Sequence, residues 1–346
     1  MQVFNRFRSK SQVPSRQDSS TSTAHIMLWN QTMVIKPSIN PTSVPSEQLC
    51  SFMDVRSVIS WYTMDVSIFF LVVNGISSIT AVTSNVLVLC AILGNPSLRQ
   101  SPKNLLLCSL SSSDTFVGLL SQTSFMIKVG YRNATLSKSC IFWFLSETFG
   151  GIGGGVTFLT LFFMSIERYI CLMRPLRYET IVTKNRVVFV LASCWIFTVS
   201  SALARFLIAD LGLLAHVLIP LLLVSNCFIH LKIILLVRHH RRAIIDVTRH
   251  IQSNQRKAVD VASRTKTALT MTYLFVLFLA CYTPLFCCFV IMLVEGRVTA
   301  NLHVGLGVSV TVVYINSSLN PAFYCWRMRE IRRAVVKLLK AVFSRH

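Results

Sequence analysis

Apolar residues in this chain gather in seven long blocks, near 64–93, 103–127, 141–172, 187–209, 213–237, 267–294 and 302–326. A bilayer core of ~30 Å is crossed by ~20 helical residues, and each block reaches that length. Apolar positions do not alternate two by two, as they would in the strands of a membrane β-barrel. The pattern predicts an all-α fold, a bundle of seven transmembrane helices. Only a brief connection around Asp210 and Gly212 parts the fourth and fifth blocks, and Trp195 to Pro220 also reads as one run. Two spans are required there to keep the basic segments 173–186 and 238–266 on one side.

The flanks read differently. Residues 1–62 are rich in Ser, Thr, Gln and Pro without a helical period, which predicts a disordered extracellular tail before a membrane domain over 63–326. The first thirty residues hold no apolar core of the signal-peptide kind, so the first span is expected to act as the insertion signal. Residues 327–346 place Ile331, Val335, Leu338, Leu339 and Val342 at three- and four-residue steps opposite Arg and Lys. That spacing predicts a cytoplasmic amphipathic helix on the membrane surface. Asn30-Gln31-Thr32 and Asn133-Ala134-Thr135 fit glycosylation acceptors outside the cell, whereas Asn40 precedes Pro41 and Asn316-Ser317-Ser318 lies inside the seventh block.

Composition agrees with the pattern. Of 346 residues 53% are hydrophobic and 14% charged, against about 25% charged in soluble domains. The net charge of +21 would suit nucleic-acid binding, but most of the Lys and Arg fall in the loops and tail that become cytoplasmic. Their position marks topology and attraction to the lipid bilayer, with no nucleic-acid partner expected. Most of the 11 Cys lie within apolar blocks, and no Cys or His cluster has metal-ligand spacing. No catalytic constellation is present, so no enzyme activity is expected.

Single polar residues at set places then discriminate among seven-helix proteins. Asn85, Asp114, Glu167-Arg168-Tyr169, Trp195, Pro220, Cys281-Tyr282-Thr283-Pro284 and Asn316-Ser317-Ser318-Leu319-Asn320-Pro321-Ala322-Phe323-Tyr324 occur in order, one set per span. Over about 64–342 the chain resembles the rhodopsin-like (class A) G-protein-coupled receptors. The resemblance implies that Glu167 holds Arg168 at rest and that Arg168 is freed to meet a heterotrimeric G protein. The plainer reading of Arg168 is a snorkelling anchor at a helix end. With Tyr169, Asn320, Pro321 and Tyr324 these form the expected G-protein switch. Where many members carry an acid at the inner end of the sixth span, this chain has Arg264. A second ionic latch is therefore not expected, and ligand-independent signalling is expected to be raised.

The same resemblance puts Asp114, Asn85, Thr157, Asn316 and Asn320 around an allosteric sodium ion; a water-filled polar network is the alternative. No other cofactor is implied. Pro220, Pro284 and Pro321 remove backbone hydrogen bonds and kink their helices, and Pro220, Phe278, Tyr282 and Pro284 form the expected activation hinge. Tyr282 stands where the family usually has Trp, and Phe228 where it often has Tyr.

The extracellular ligand is less legible. Gly150 stands where amine receptors carry Asp, and Tyr314 where opsins attach retinal, so neither a biogenic amine nor retinal is expected. Candidate pocket residues are Glu147, Thr148, Tyr282, Phe286, His303 and Tyr314. Glu147 either pairs with a cationic ligand or faces water. The glycine run Gly150 to Gly155 points to close packing more than to a widened pocket. The loop between the fourth and fifth spans has no Cys, so Cys140 lacks its usual partner and either pairs with Cys50 or stays free. A short unbridged loop is similar to the melanocortin, lysophospholipid, cannabinoid and adenosine group. The expectation is a plasma-membrane receptor with its N-terminus outside and C-terminus inside. The alternatives are a small transporter or channel, or a receptor-like protein that no longer signals.

Overall fold

The computed structural model describes residues 62–130, 136–204, 221–239, 255–295 and 299–344. Within them every regular element is helical, and seven helical passes precede a surface helix. Large apolar side chains cover the outside, Phe69, Phe189, Phe197, Val224 and Val294 among them. In water that coat would be a liability; in hydrocarbon it is the required surface.

The first span is Met64–Leu93, capped by Thr63, whose hydroxyl accepts from the Val66 amide at 3.4 Å. Asn95 caps the turn that follows, and Pro96 and Pro102 sit at helix starts, where a missing N–H costs nothing. The second span is broken into Pro102–Phe116, a π-helical stretch Val117–Gln122, and Thr123–Gly130. The hydrophobic pattern carries no sign of this break. Gly118 lies within it, where a Cβ would meet Val82 at 2.9 Å and where Ser78 Oγ donates to the carbonyl at 2.8 Å. π turns of this kind recur at functional sites inside α-helices.

The third span, Leu136–Met173, begins about one turn before its apolar block. It packs against the second, fourth and sixth spans. Its glycines are the reason: a Cβ on Gly153 would overlap Val117, and one on Gly155 would stand 2.9 Å from Thr198. The fourth span is Lys184–Ala204 and the fifth Leu221–His239. The expected connection at 210–212 and Pro220 lie outside the described residues. The sixth span, Gln255–Glu295, starts about three turns before its apolar block. The seventh, Ala300–Arg327, is capped by Thr299 and ends where Met328 turns extended.

Six of these helices are long and apolar enough to cross a membrane; the second, with Ser109, Ser111, Ser112, Ser113, Asp114 and Thr115, is the exception. The surface helix Arg329–Phe343 buries Ile331 and Val335 in the cluster that also holds Val88, Ile92 and Tyr324. Glu330 pairs with Lys103 at 3.0 Å and ties this helix to the start of the second span.

Candidate functional site

At the C-terminal end of the third span Glu167 and Arg168 are 5% and 4% exposed. The guanidinium donates through both Nε and Nη2 to the two carboxylate oxygens. A buried charge is tolerable only when paired and hydrogen-bonded, and the bidentate geometry meets both conditions. A third partner comes from the following loop. Tyr178, on the helical turn Tyr178–Ile181, donates its hydroxyl to Glu167 Oε1. Burial first, and the Glu167 charge second, hold the Tyr178 phenol above its ordinary value of 10.0. Lys103, Arg168, Cys171, Tyr178, Glu179 and Lys184 line a cleft of about 590 Å³ beside this lock. Tyr169 packs on the apolar cluster of Leu172, Ile233, Val237 and Ala268. The Arg264 side chain lies outside the described residues.

Midway through the bundle, Asp114 is fully buried, and Asn320 Nδ2 donates to its Oδ2 at 2.8 Å. Asn85 Nδ2 donates to the carbonyls of Ala81 and Ser317, both at 2.9 Å, joining the first span to the seventh. Thr157 bonds Ser113 at 3.0 Å, joining the third to the second. Among the described residues, three buried oxygens here have no hydrogen-bond partner: Asp114 Oδ1, Asn85 Oδ1 and Asn316 Oδ1. A cavity of about 20 Å³ is lined by Thr157, Asn316, Ser317, Tyr282 and Tyr314, room for a single water-sized occupant.

The hinge residues on the sixth span form one column with the third. Phe158 stacks on Phe278 at 5.7 Å between centroids, and Phe278 on Tyr282 at 4.0 Å. Pro284 lies about one half-turn above, inside the sixth helix. Gly154 admits the Tyr282 hydroxyl, which would stand 3.1 Å from a Cβ placed there. The phenol thus occupies space that a side chain on the third span would close. Tyr324 is wholly buried in the cluster of Leu107, Leu110, Met164 and Leu274, its hydroxyl without a partner among the described residues. Phe228 turns 58% of its surface outward, under Lys232 Nζ at 5.2 Å.

Toward the opposite end of the bundle, Glu147 and Lys128 interact electrostatically, with Tyr62 and Tyr314 also in the field of Glu147. Tyr62 donates to the His303 carbonyl at 3.4 Å, and their rings lie 4.7 Å apart. Thr148 is buried. Phe286 is 60% exposed. The inward positions of this helix run through Cys281, Leu285 and Cys288, at steps of four and three. Phe286 falls between them.

The acceptors Asn30 and Asn133 and the Cys50–Cys140 pairing lie outside the described residues. Sequence reasoning missed Tyr178, Lys128, Ser317 and His230. A Tyr ten residues past the Glu-Arg pair, and a lone His in an apolar run, were the available signals. Which partner each would meet depended on the fold.

Comparison with known proteins agrees with this geometry. The family model described as 7 transmembrane receptor (rhodopsin family) matches residues 84–212. Melanocortin receptor 5 of Pan troglodytes is 24% identical over 276 residues, covering 75% of this chain and 81% of the relative. Cannabinoid receptor type 1B of Takifugu rubripes is 25% identical over 287 residues, covering 74% and 60%. In its helical bundle, its ordered motifs and these likenesses, the chain is similar to the rhodopsin-like, G-protein-coupled membrane receptors.

Proposed function

We propose that the chain resides in the plasma membrane with its N-terminal tail outside, binds a peptide or lipid ligand, and activates a heterotrimeric G protein. The observation that carries the reading is the buried Glu167–Arg168–Tyr178 lock beside a wide cleft lined by Lys103 and Lys184. An arginine held this way is a switch if something outside the cell favours its release. A ligand shifts such an equilibrium only by its differential affinity for the two states. The names of the relatives, melanocortin and cannabinoid, support a peptide or lipid ligand. The Glu147–Lys128 group with Tyr62, His303 and Tyr314 is the candidate contact surface.

The test is nucleotide exchange on purified G proteins by the full chain in lipid nanodiscs, screened against peptide and lipid libraries. Arg168→Ala is expected to lower ligand-stimulated exchange at least ~10-fold, the loss of about 1.4 kcal/mol of coupling. Full exchange in that variant, at equal insertion, overturns the reading.

Asp114, Asn85, Thr157, Asn316 and Asn320 fit a sodium ion: Asp114, Asn85 and Asn316 carry unpartnered buried oxygens, which are hard ligands, and Thr157 and Asn316 line the small cavity. Held there, the ion would neutralise the carboxylate and favour the resting arrangement. Sodium is expected to raise the melting temperature relative to choline, and Asp114→Asn to remove the difference. Equal melting in both salts argues for the water-filled network instead.

A further inference from the structure

His230 belongs to none of the motifs above, yet it holds a central place in the inner half of the bundle. It sits on the fifth span, 4% exposed, in the run Asn226-Cys227-Phe228-Ile229-His230. Its Nε2 is 2.8 Å from Ser165 Oγ on the third span, and its Nδ1 is 3.2 Å from Thr272 Oγ1 on the sixth. Its ring stacks on Phe275 at 4.3 Å and 11°.

The shorter of the two competing hydroxyl-to-carbonyl bonds favours one tautomer. Ser165 gives its own proton to the Leu161 carbonyl at 2.7 Å, so toward the imidazole it accepts, and Nε2 carries the hydrogen. A neutral imidazole then offers Nδ1 as an acceptor. Thr272 donates to it, sharing its proton with the Ala268 carbonyl at 3.3 Å.

We propose that His230 is a resting-state latch that ties the inner halves of the third, fifth and sixth spans. The Glu167–Arg168 pair closes within the third span itself and, among the described residues, reaches no acid on the sixth. His230 supplies a polar link across that gap. Thr272 lies 12 residues below Pro284, about 18 Å along the helix. A swing of about 10° at the proline moves Thr272 by ~3 Å, more than a hydrogen bond survives. The latch therefore opens whenever the sixth span leaves, and it sets the threshold for leaving. Its role is positional, since its contacts are with neighbouring spans.

The inference rests on the receptor reading, and its test does not need coupling. Nitroxides carried by unnatural residues at positions 173 and 261 report the separation of the third and sixth spans in the full chain. His230→Leu is expected to raise the ratio of long to short distances about 8-fold, and Thr272→Val, nearly isosteric, about 3-fold. His230→Gln, which keeps a donor at the Nε2 position, stays closer to the native distribution than His230→Leu. Adding His230→Leu to Ser165→Ala/Thr272→Val changes nothing further, since the three act as a unit. Unchanged distances in His230→Leu and Thr272→Val overturn the latch, as does a lowered melting temperature with no shift in distance. If distances shift while no G protein is activated, the latch stands and the coupling reading falls.

Discussion

The side of the bundle built from the first, second and seventh spans differs from the side built from the fifth and sixth. On the first side directional bonds cross the interfaces. Asn74 donates to Thr311 at 3.0 Å, Gln122 to Ser77 at 3.1 Å, Asn85 to the Ser317 carbonyl and Asn320 to Asp114. On the other side Ile233, Val237, Ala268 and Leu172 meet through apolar surface, and His230 supplies a polar tie. A smaller share of the fifth and sixth spans is buried than of the third and seventh. Hydrogen bonds have fixed partners and lock a register, whereas dispersion contacts exchange neighbours at little cost. The contrast separates a framework from a part able to move.

Glycine replacements test that contrast most sharply. Gly153→Ala forces a methyl into Val117 on the framework side. It is expected to destabilise by about 1–3 kcal/mol, read as a lower melting temperature in detergent. Gly305→Ala meets Cys288 Sγ at an ordinary 3.6 Å, facing the sixth span. There the gain in helix propensity is expected to win, stabilising by up to ~1 kcal/mol. Equal losses at both sites would erase the distinction.

Tyr178→Phe removes one bond to a charged carboxylate at the border of the two regions. Such bonds contribute about 1.5–3 kcal/mol, and the variant is expected to raise basal nucleotide exchange several-fold. The pH dependence follows from the raised phenol. The folded chain favours protonated Tyr178, so its contribution is complete below pH 10.0 and is lost only as pH climbs through the higher folded value. Phenolate absorbance that lags behind an unfolded control checks this. The smallest effect is expected at Thr311→Val, which deletes the Asn74 contact for about 0.6 kcal/mol. A loss several times larger would mean that the framework bonds act as a network.

Much of this was legible beforehand. Seven apolar blocks marked seven passes, and Ile331 and Val335 marked the buried face of the surface helix. The glycine run read as a packing surface, and Gly153 and Gly155 do admit Val117 and Thr198. Less legible was the π stretch at Val117–Gln122. It depends on a neighbouring helix: Gly118 matters because Val82 lies beside it.

From its residues alone, the chain determined that it must live in a bilayer, because apolar runs of ~20 residues leave backbone groups no partner there but their own helix. It also marked which ionisable residues needed company, since an unpaired charge in hydrocarbon is too costly to keep. Who supplies that company was decided only in three dimensions. Tyr178 is eleven positions from Glu167, and Thr272 is forty-two from His230. Those pairings exist because helices pack at angles no one-dimensional period encodes.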